Sequence, residues 1–415
     1  MKIELDRLEF LKAWQMAERS SSTKSTISAV SGILITASQE ETYLEATDFK
    51  TALRCSAQGV RTLTAGSAVL PVRLFGDFLK KMSHDRLLLE IDGEKGTLSS
   101  GRNRTRFTTW PVSEFPNIPR SGGAEPLCTL LAADLVRAIT EGSVASSTPA
   151  DFPKYLGTCL LKVQKNLLKV VATDSKRLSL SQCPCEEGAE VELLLPVPAL
   201  KELGRLLMGN APEFPVRALY DGSTVWFRLE GLEFSARRVE SSFPNYEKIL
   251  TPGASTILKI QRDELLPALE RIDIMVRGTL NRLVVLHLSP GGEFRLTGRA
   301  PELGTTTEVL DSIIDGDPLR VGFNVGFLQD GLKALGSGEI RIDFNGEEGQ
   351  TQLLREGSED FLYMLMPARL SPEDLIEDEG TAPEPRLEPL QAIEALAVLA
   401  NEKEDGEKEK EGESF

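Results

Sequence analysis

Ile3-Glu-Leu-Asp-Arg-Leu-Glu-Phe-Leu-Lys-Ala-Trp14 opens the chain and returns twice, as Cys128-Thr-Leu-Leu-Ala-Ala-Asp-Leu-Val-Arg-Ala-Ile139 and as Leu258-Lys-Ile-Gln-Arg-Asp-Glu-Leu-Leu-Pro-Ala-Leu269. Each copy reads as a short strand, an acidic helix start (Glu9, Asp134, Glu264) and an amphipathic helix carrying Phe10/Leu11, Leu135/Val136 or Leu265/Leu266. A second triplet follows at nearly the same spacing: Leu70-Pro-Val-Arg-Leu-Phe-Gly-Asp-Phe-Leu-Lys-Lys-Met82, Leu195-Pro-Val-Pro-Ala-Leu-Lys-Glu-Leu-Gly-Arg-Leu-Leu207 and Phe323-Asn-Val-Gly-Phe-Leu-Gln-Asp-Gly-Leu-Lys-Ala-Leu335. Ala46-Thr-Asp recurs as Ala172-Thr-Asp, and Phe115-Pro-Asn as Phe243-Pro-Asn. Repetition in one order at one spacing implies three copies of a single unit.

Between the helices, Leu87–Ile91, Leu167–Val171, Thr224–Leu229, Leu283–Leu288 and Glu339–Phe344 are β-branched or alternating runs closed by turn residues. The expected fold class is α+β, three tandem modules with helices on one face of antiparallel sheets. Breaks near Gly122-Gly123 and Pro252-Gly253 give modules 1–123, 124–252 and 253–370, followed by a tail, 371–415. The tail holds 15 acidic and 4 basic residues and reads as mostly disordered. It therefore carries −11 of the chain's net charge of −16, so the first 370 residues are nearly neutral.

Of 415 residues 41% are hydrophobic, enough for substantial cores, yet no run is long and apolar enough to be a membrane span or a signal peptide. A cytoplasmic protein is the expectation. Cys55, Cys128, Cys159, Cys183 and Cys185 are odd in number, and only two histidines, His84 and His287, accompany them. Neither a disulfide framework nor a Cys/His metal site is expected. There is no phosphate loop, no zinc-protease motif and no nucleophile elbow, so no catalytic residue, metal or cofactor is assigned. Asp48 and Asp174 occupy equivalent repeat positions, which suggests a turn-forming role of the Asx type. In the second helix of each copy, Lys80, Arg205 and Lys333 share one column; a cation column repeated in every module suits sequence-independent phosphate tracking, or simply solvates the helices.

Leu70-Pro-Val-Arg-Leu-Phe75, Glu114-Phe-Pro-Asn-Ile-Pro119, Ala172-Thr-Asp-Ser-Lys-Arg-Leu178, Ser242-Phe-Pro-Asn-Tyr246, Gly322-Phe-Asn-Val325 and Met366-Pro-Ala-Arg-Leu370 together resemble the bacterial DNA polymerase III beta subunit family, the replicative sliding clamps. The resemblance covers Met1 to Leu370. It implies a non-catalytic, head-to-tail homodimer closing a ring of six domains around double-stranded DNA, with helices lining the hole. It also implies docking of the replicative polymerase alpha subunit, the clamp loader and other proteins bearing a clamp-binding motif. The alternative is a three-module interaction scaffold with no DNA in its hole.

By the same resemblance a partner-peptide groove is lined by Leu156, Thr173, Ser175, Lys176, Arg177, Leu178, Pro244, Lys248, Ile249, Met366, Pro367, Ala368 and Arg369. Ser175-Lys176-Arg177 stands where Gly-His-Arg is usual, and Glu348 where an apolar residue is common. Lys24, Arg73, Lys154 and Tyr155 would face DNA with the Lys80 column. Arg104, Arg106 and Phe107 would meet Ile274, Met275, Glu302 and Glu308 of a second copy. Gly304 and Thr305 replace acids common at that joint, so it should depend little on salt. Within the tail, Gln391-Ala-Ile-Glu-Ala-Leu396 loosely resembles a clamp-binding peptide, though a solvating role is the simpler expectation.

Overall fold

The computed structural model describes residues 1–22, 27–147, 153–209, 212–250, 253–291 and 293–371. Lys24 and all of the tail beyond Ser371 lie outside the described residues. The first repeat runs β1 (Lys2–Asp6), α1 (Arg7–Glu18), β2 (Gly32–Ala37), β3 (Thr42–Thr47), β4 (Thr51–Ser56), β5 (Val60–Thr64), β6 (Gly66–Pro71), α2 (Val72–Lys81), β7 (Arg86–Asp92), β8 (Lys95–Ser100) and β9 (Asn103–Thr108). The second runs β10 (Glu125–Leu131), α3 (Ala132–Gly142), β11 (Thr158–Gln164), β12 (Leu167–Thr173), β13 (Arg177–Pro184), β14 (Val191–Pro196), α4 (Val197–Leu207), β15 (Pro215–Tyr220), β16 (Thr224–Leu229) and β17 (Leu232–Arg237). The third runs β18 (Thr256–Gln261), α5 (Arg262–Val276), β19 (Leu283–Ser289), β20 (Glu293–Ala300), β21 (Gly304–Leu310), β22 (Ile313–Gly316), β23 (Leu319–Asn324), α6 (Val325–Leu335), β24 (Glu339–Phe344), β25 (Thr351–Arg355) and β26 (Phe361–Leu365).

Local chemistry sets these boundaries. Asp6 caps α1, its Oδ1 accepting from the N–H groups of Leu8 and Glu9 at 3.1 Å, so the cap lies three residues before the acid singled out in the sequence. Asn324 caps α6 in the same manner through the Phe327 N–H. The apolar helix stripes face the core: Phe10, Trp14 and Phe75 are fully buried and pack together in the first repeat, the Trp14 and Phe75 rings 4.8 Å apart, while Leu11 and Val136 are half-buried at its margin.

The sheets do not stop at the repeat boundaries, and this the sequence did not reveal. Each repeat contributes two half-sheets, and neighbouring repeats fuse them: β10-β15-β16-β17 continues into β4-β3-β2-β6, and β14-β11-β12-β13 continues into β26-β25-β24-β18-β22. All pairings are antiparallel. At the first joint Phe234 faces Leu53 and Ala236 faces Thr51; at the second Tyr363 faces Ser179 and Leu365 faces Arg177. Two half-sheets remain unfused, β5-β1-β7-β8-β9 at one end and β21-β20-β19-β23 at the other.

Candidate functional site

The segment Thr173–Arg177 folds into a turn held by its own side chains. Asp174 Oδ1 accepts from the N–H groups of Lys176 and Arg177 at 3.0 Å, while Thr173 Oγ1 donates to the Arg177 carbonyl at 2.7 Å and accepts from the Ser175 N–H at 3.1 Å. This is the Asx geometry suggested for Asp174, and Asp48 repeats it. It places Ser175 at φ +72°, where glycine is the easier residue.

The turn sits beside the end of β26. Met366 N–H donates to the Lys176 carbonyl at 2.9 Å, and Ala368 N–H to the Gly322 carbonyl at 2.8 Å, so Met366–Ala368 is pinned between the second and third repeats. Beneath it lies an apolar floor of Leu160, Leu178, Leu180, Tyr246 and Met364, with Tyr155 and Phe243 packed edge-on against each other at 5.8 Å. Among the sequence-derived groove residues, Leu156 and Leu178 are buried, whereas Ser175, Lys176, Lys248, Ile249, Met366 and Arg369 are exposed. Thr173, Pro244, Pro367 and Ala368 lie between these extremes.

Arg177 is anchored within the chain. Its Nε donates to Asp174 at 2.8 Å, and its Nη1 to Asp330 at 2.7 Å and to the Tyr363 hydroxyl at 3.0 Å. Its guanidinium also stacks 4.2 Å over the Phe327 ring. Through its Nε, its Nη1 and one face of the guanidinium, Arg177 braces the turn against the third repeat. Burial pushes the Tyr363 phenol up, so it stays protonated and donates to the Phe327 carbonyl at 2.9 Å. Asp330, Phe327 and Tyr363 thus surround Arg177, and no short-range pattern in the sequence signals them.

A second ionic cluster joins the same two repeats. Glu141 from α3, nearly fully buried, accepts from Ser181 Oγ at 2.6 Å, from Arg137 at 3.3 Å and from Arg355 of the third repeat. Asp360 accepts from Arg355 at 2.8 Å, Arg137 at 3.0 Å and Ser358 at 2.6 Å. Arg137 is consumed here and is not a free cation on the helix face.

The helix-face column is also paired. Lys80 lies 3.9 Å from Glu18, Arg205 donates to Glu202 at 3.0 Å, and Lys333 lies 3.7 Å from Glu270. Arg73 and Lys154 are exposed. All five cysteines are buried free thiols, and no group of His, Cys, Asp and Glu among the described residues is arranged to hold a metal. No helix among them is long and apolar enough to cross a membrane.

At the unfused edges, Arg104 and Arg106 are exposed on one face of β9 while Phe107 is buried on the other, its ring lying where any Cβ on Gly96 would be. On the other edge Ile274 is 62% exposed, Glu302 is exposed and Met275 is half-buried. Glu308 is engaged within its own chain, accepting from Arg271 Nε and Nη2 at 2.7 and 2.6 Å, so it is not a free counter-ion for Arg104 or Arg106.

Comparison with known proteins matches this geometry along the whole repeat region. The beta sliding clamp of Vibrio cholerae is 27% identical over 374 residues, which span 89% of this chain and 100% of that protein. The sliding clamp structure from Bacillus subtilis superposes with a TM-score of 0.85 at 22% identity, and that from Pseudomonas aeruginosa bound to griselimycin with 0.84 at 24%, each covering 89% of this chain and 100% of the other. The three repeats also match, in order, the family descriptions of the DNA polymerase III beta subunit N-terminal domain at residues 1–119, central domain at 129–245 and C-terminal domain at 247–369. A chain whose three fused repeats each answer to a successive domain of that subunit belongs to the DNA polymerase III beta subunit family.

Proposed function

We propose that this protein is a non-catalytic sliding clamp of the cytoplasm, three modules (1–123, 124–252, 253–370) per subunit, that closes as a homodimer around duplex DNA and holds a polymerase there by topology. The observation that carries the reading is the pair of internal joints. Both use one antiparallel register between the last strand of one half-sheet and the third strand of the next. The two edges left over, β9 and β21, are the same two types of strand.

Following the ladders through each repeat makes Thr105 the counterpart of Phe234 and Tyr363, and Thr306 the counterpart of Leu53 and Ser179. Extended to a second copy, the repeated register would bring Thr105 opposite Thr306 of the partner subunit and Phe107 opposite Gly304 of the partner subunit. Ile274 and Met275 supply apolar cover beside it, and Arg104 and Arg106 lie on the solvent side. Paired cations on the helices suit a surface along which DNA moves, since few phosphates would be bound tightly and contacts would be weak and salt-sensitive.

The exposed Met366, Ile249 and Lys176 around the apolar floor suit short peptides with Leu or Phe anchors, from the polymerase alpha subunit, the clamp loader and other clamp-binding proteins. Loading onto nicked circular DNA, then linearising it, tests the topology: a clamp stays on the circle and runs off the linear form. Equal retention on both forms, or a monomeric mass in dilute solution, refutes the reading.

A further inference from the structure

Phe49 stands at the tip of the β3–β4 turn with φ +70°, a backbone conformation glycine adopts freely and a bulky side chain does not. Its ring is 48% exposed. The turn copies Thr173–Arg177 bond for bond: Asp48 Oδ1 accepts from the Lys50 and Thr51 N–H groups at 2.9 and 2.7 Å, and Thr47 Oγ1 donates to the Thr51 carbonyl at 2.7 Å and accepts from the Phe49 N–H at 3.0 Å. Arg237 N–H donates to the Lys50 carbonyl at 2.9 Å, as Met366 does to Lys176, and Val239 N–H donates to the Leu194 carbonyl at 2.8 Å, as Ala368 does to Gly322.

The two joints therefore present one scaffold with the chemistry exchanged. Between repeats 2 and 3 the turn is polar at Ser175 and the strand exit is apolar at Met366-Pro367. Between repeats 1 and 2 the turn carries the aromatic ring and the strand exit carries Arg237-Arg238, with Lys50 beside them. All three cations are exposed, and among the described residues no ion pair or side-chain hydrogen bond engages them. The nearby acids are otherwise occupied: Asp48 holds its turn and Asp221 holds the Ser223-Thr224 turn, leaving only exposed Glu240.

We propose that the joint between repeats 1 and 2 is a second docking site, built for an acidic segment of a partner protein that carries an apolar anchor. The inference rests on the peptide-groove reading of the joint between repeats 2 and 3. Arg237, Arg238 and Lys50 supply the charge complementarity, guanidinium forks suit carboxylates, and the Phe49 ring offers the apolar contact. An unpaired cation set alone would serve phosphate equally well. A strained, half-exposed aromatic on the adjoining turn favours a peptide.

The test uses the full chain and two fluorescein-labelled peptides of about twelve residues sharing a central Leu-Phe pair, one flanked by six Asp and Glu and one without acids, followed by anisotropy. Joint reversal of Arg237→Glu and Arg238→Glu should weaken the acidic peptide about tenfold. Phe49→Gly, which removes the ring and relaxes the turn, should weaken it about fivefold. Met366→Ala should weaken only the acid-free peptide. The proposal falls if reversal leaves acidic-peptide binding unchanged, if Met366→Ala abolishes it, or if short duplex DNA displaces it at equal charge concentration. Should the acid-free peptide ignore Met366→Ala, the reading of the other groove fails, and the response to Arg237 and Arg238 still decides this one.

Discussion

The β4–β17 and β13–β26 joints share one backbone register, yet different forces hold them. Between repeats 1 and 2, Leu53 faces Phe234, both fully buried, in an apolar cluster that runs without a break from Ile3 to Ala236. Between repeats 2 and 3, the equivalent pair is Ser179 and Tyr363; Ser179 and its strand neighbour Ser181 donate their hydroxyls to the Gly142 carbonyl and to Glu141, and most of the third repeat's core forms a separate cluster. Beside the apolar pair Leu178 and Met364, charge ties this joint through Arg137, Glu141, Arg355 and Asp360, and through Arg177 with Asp174 and Asp330. At the proposed joint between subunits, the same register would make Thr105 and Thr306 the central pair, with Phe107, Ile274 and Met275 as the nearby apolar residues. Within the chain one scaffold is thus cemented two ways, by an apolar core at the first joint and by apolar and ionic contacts together at the second.

The largest effect expected from this contrast is at the first joint. Phe234→Ala removes a fully buried ring from a cluster common to two repeats and should cost about 4 kcal/mol. Urea denaturation at low and high salt checks it: the loss should be the same at both, because no charge is involved. A loss that changes with salt would contradict an apolar joint.

Arg355→Ala at the second joint should cost about 2–3 kcal/mol, because it leaves the buried Glu141 carboxylate with only Arg137 and Ser181. Here the loss should depend on pH. Burial alone would raise the Asp360 carboxyl, but hydrogen bonds from Ser358 and Arg355 and the Arg137 charge bring it below the ordinary range. A carboxyl lowered in the folded state contributes stability that is complete above its unfolded value of about 4 and disappears as pH falls through the folded value. Acid titration of the native chain should therefore weaken the second joint below about pH 4. Asp360→Asn should flatten that part of the curve. An unchanged acid limb would remove Asp360 from the account.

How far the sequence alone reached follows the same line. The repeats, the helices and the separation of helices from sheets were legible because 3.6- and 2-residue periodicities are local. Fusion of the half-sheets was not, because strand order depends on which edges meet, and nothing in β13 or β26 taken singly names its neighbour. Asp174 was legible as a turn former, since an Asx turn is written in four consecutive residues. The engagement of Arg177 by Asp330, and of Glu308 by Arg271, was not: their partners lie 153 and 37 residues away in sequence. Charge columns mark a helix face and are silent about the acid on the next helix, which is how Glu18 and Glu270 escaped notice; Glu202, three residues before Arg205 on α4, was within local reach.

At the third joint, joint reversal of Arg104→Glu and Arg106→Glu should shift the homodimer toward monomer. The native dimer itself should weaken by less than tenfold between about 0.1 and 0.5 M salt, since Glu308 is held by Arg271 and Thr305 and Thr307 flank the centre. Analytical ultracentrifugation in dilute solution measures both. Oxidising a Thr105→Cys, Thr306→Cys double variant should give a covalent dimer, whereas moving either cysteine by one residue should not. A steep salt dependence, or cross-linking only in the shifted pair, would break the extrapolation from the internal joints.

The smallest expected effect lies in the turns the first two joints share. Phe49 at φ +70° and Ser175 at φ +72° occupy left-handed backbone that costs a side-chain-bearing residue about 1–2 kcal/mol relative to glycine. Glycine gives back about 0.5–1 kcal/mol through the greater freedom of the unfolded chain. Phe49→Gly and Ser175→Gly should therefore each stabilise the protein by about 0.5–1 kcal/mol, visible as a small rise in the urea midpoint. Because both turns are held by the same Asp and Thr side chains, the two gains should be equal even though one joint is apolar and the other partly ionic. If Phe49→Gly destabilises while Ser175→Gly stabilises, the Phe49 ring is packing within the fold and the equivalence of the two turns ends at the backbone.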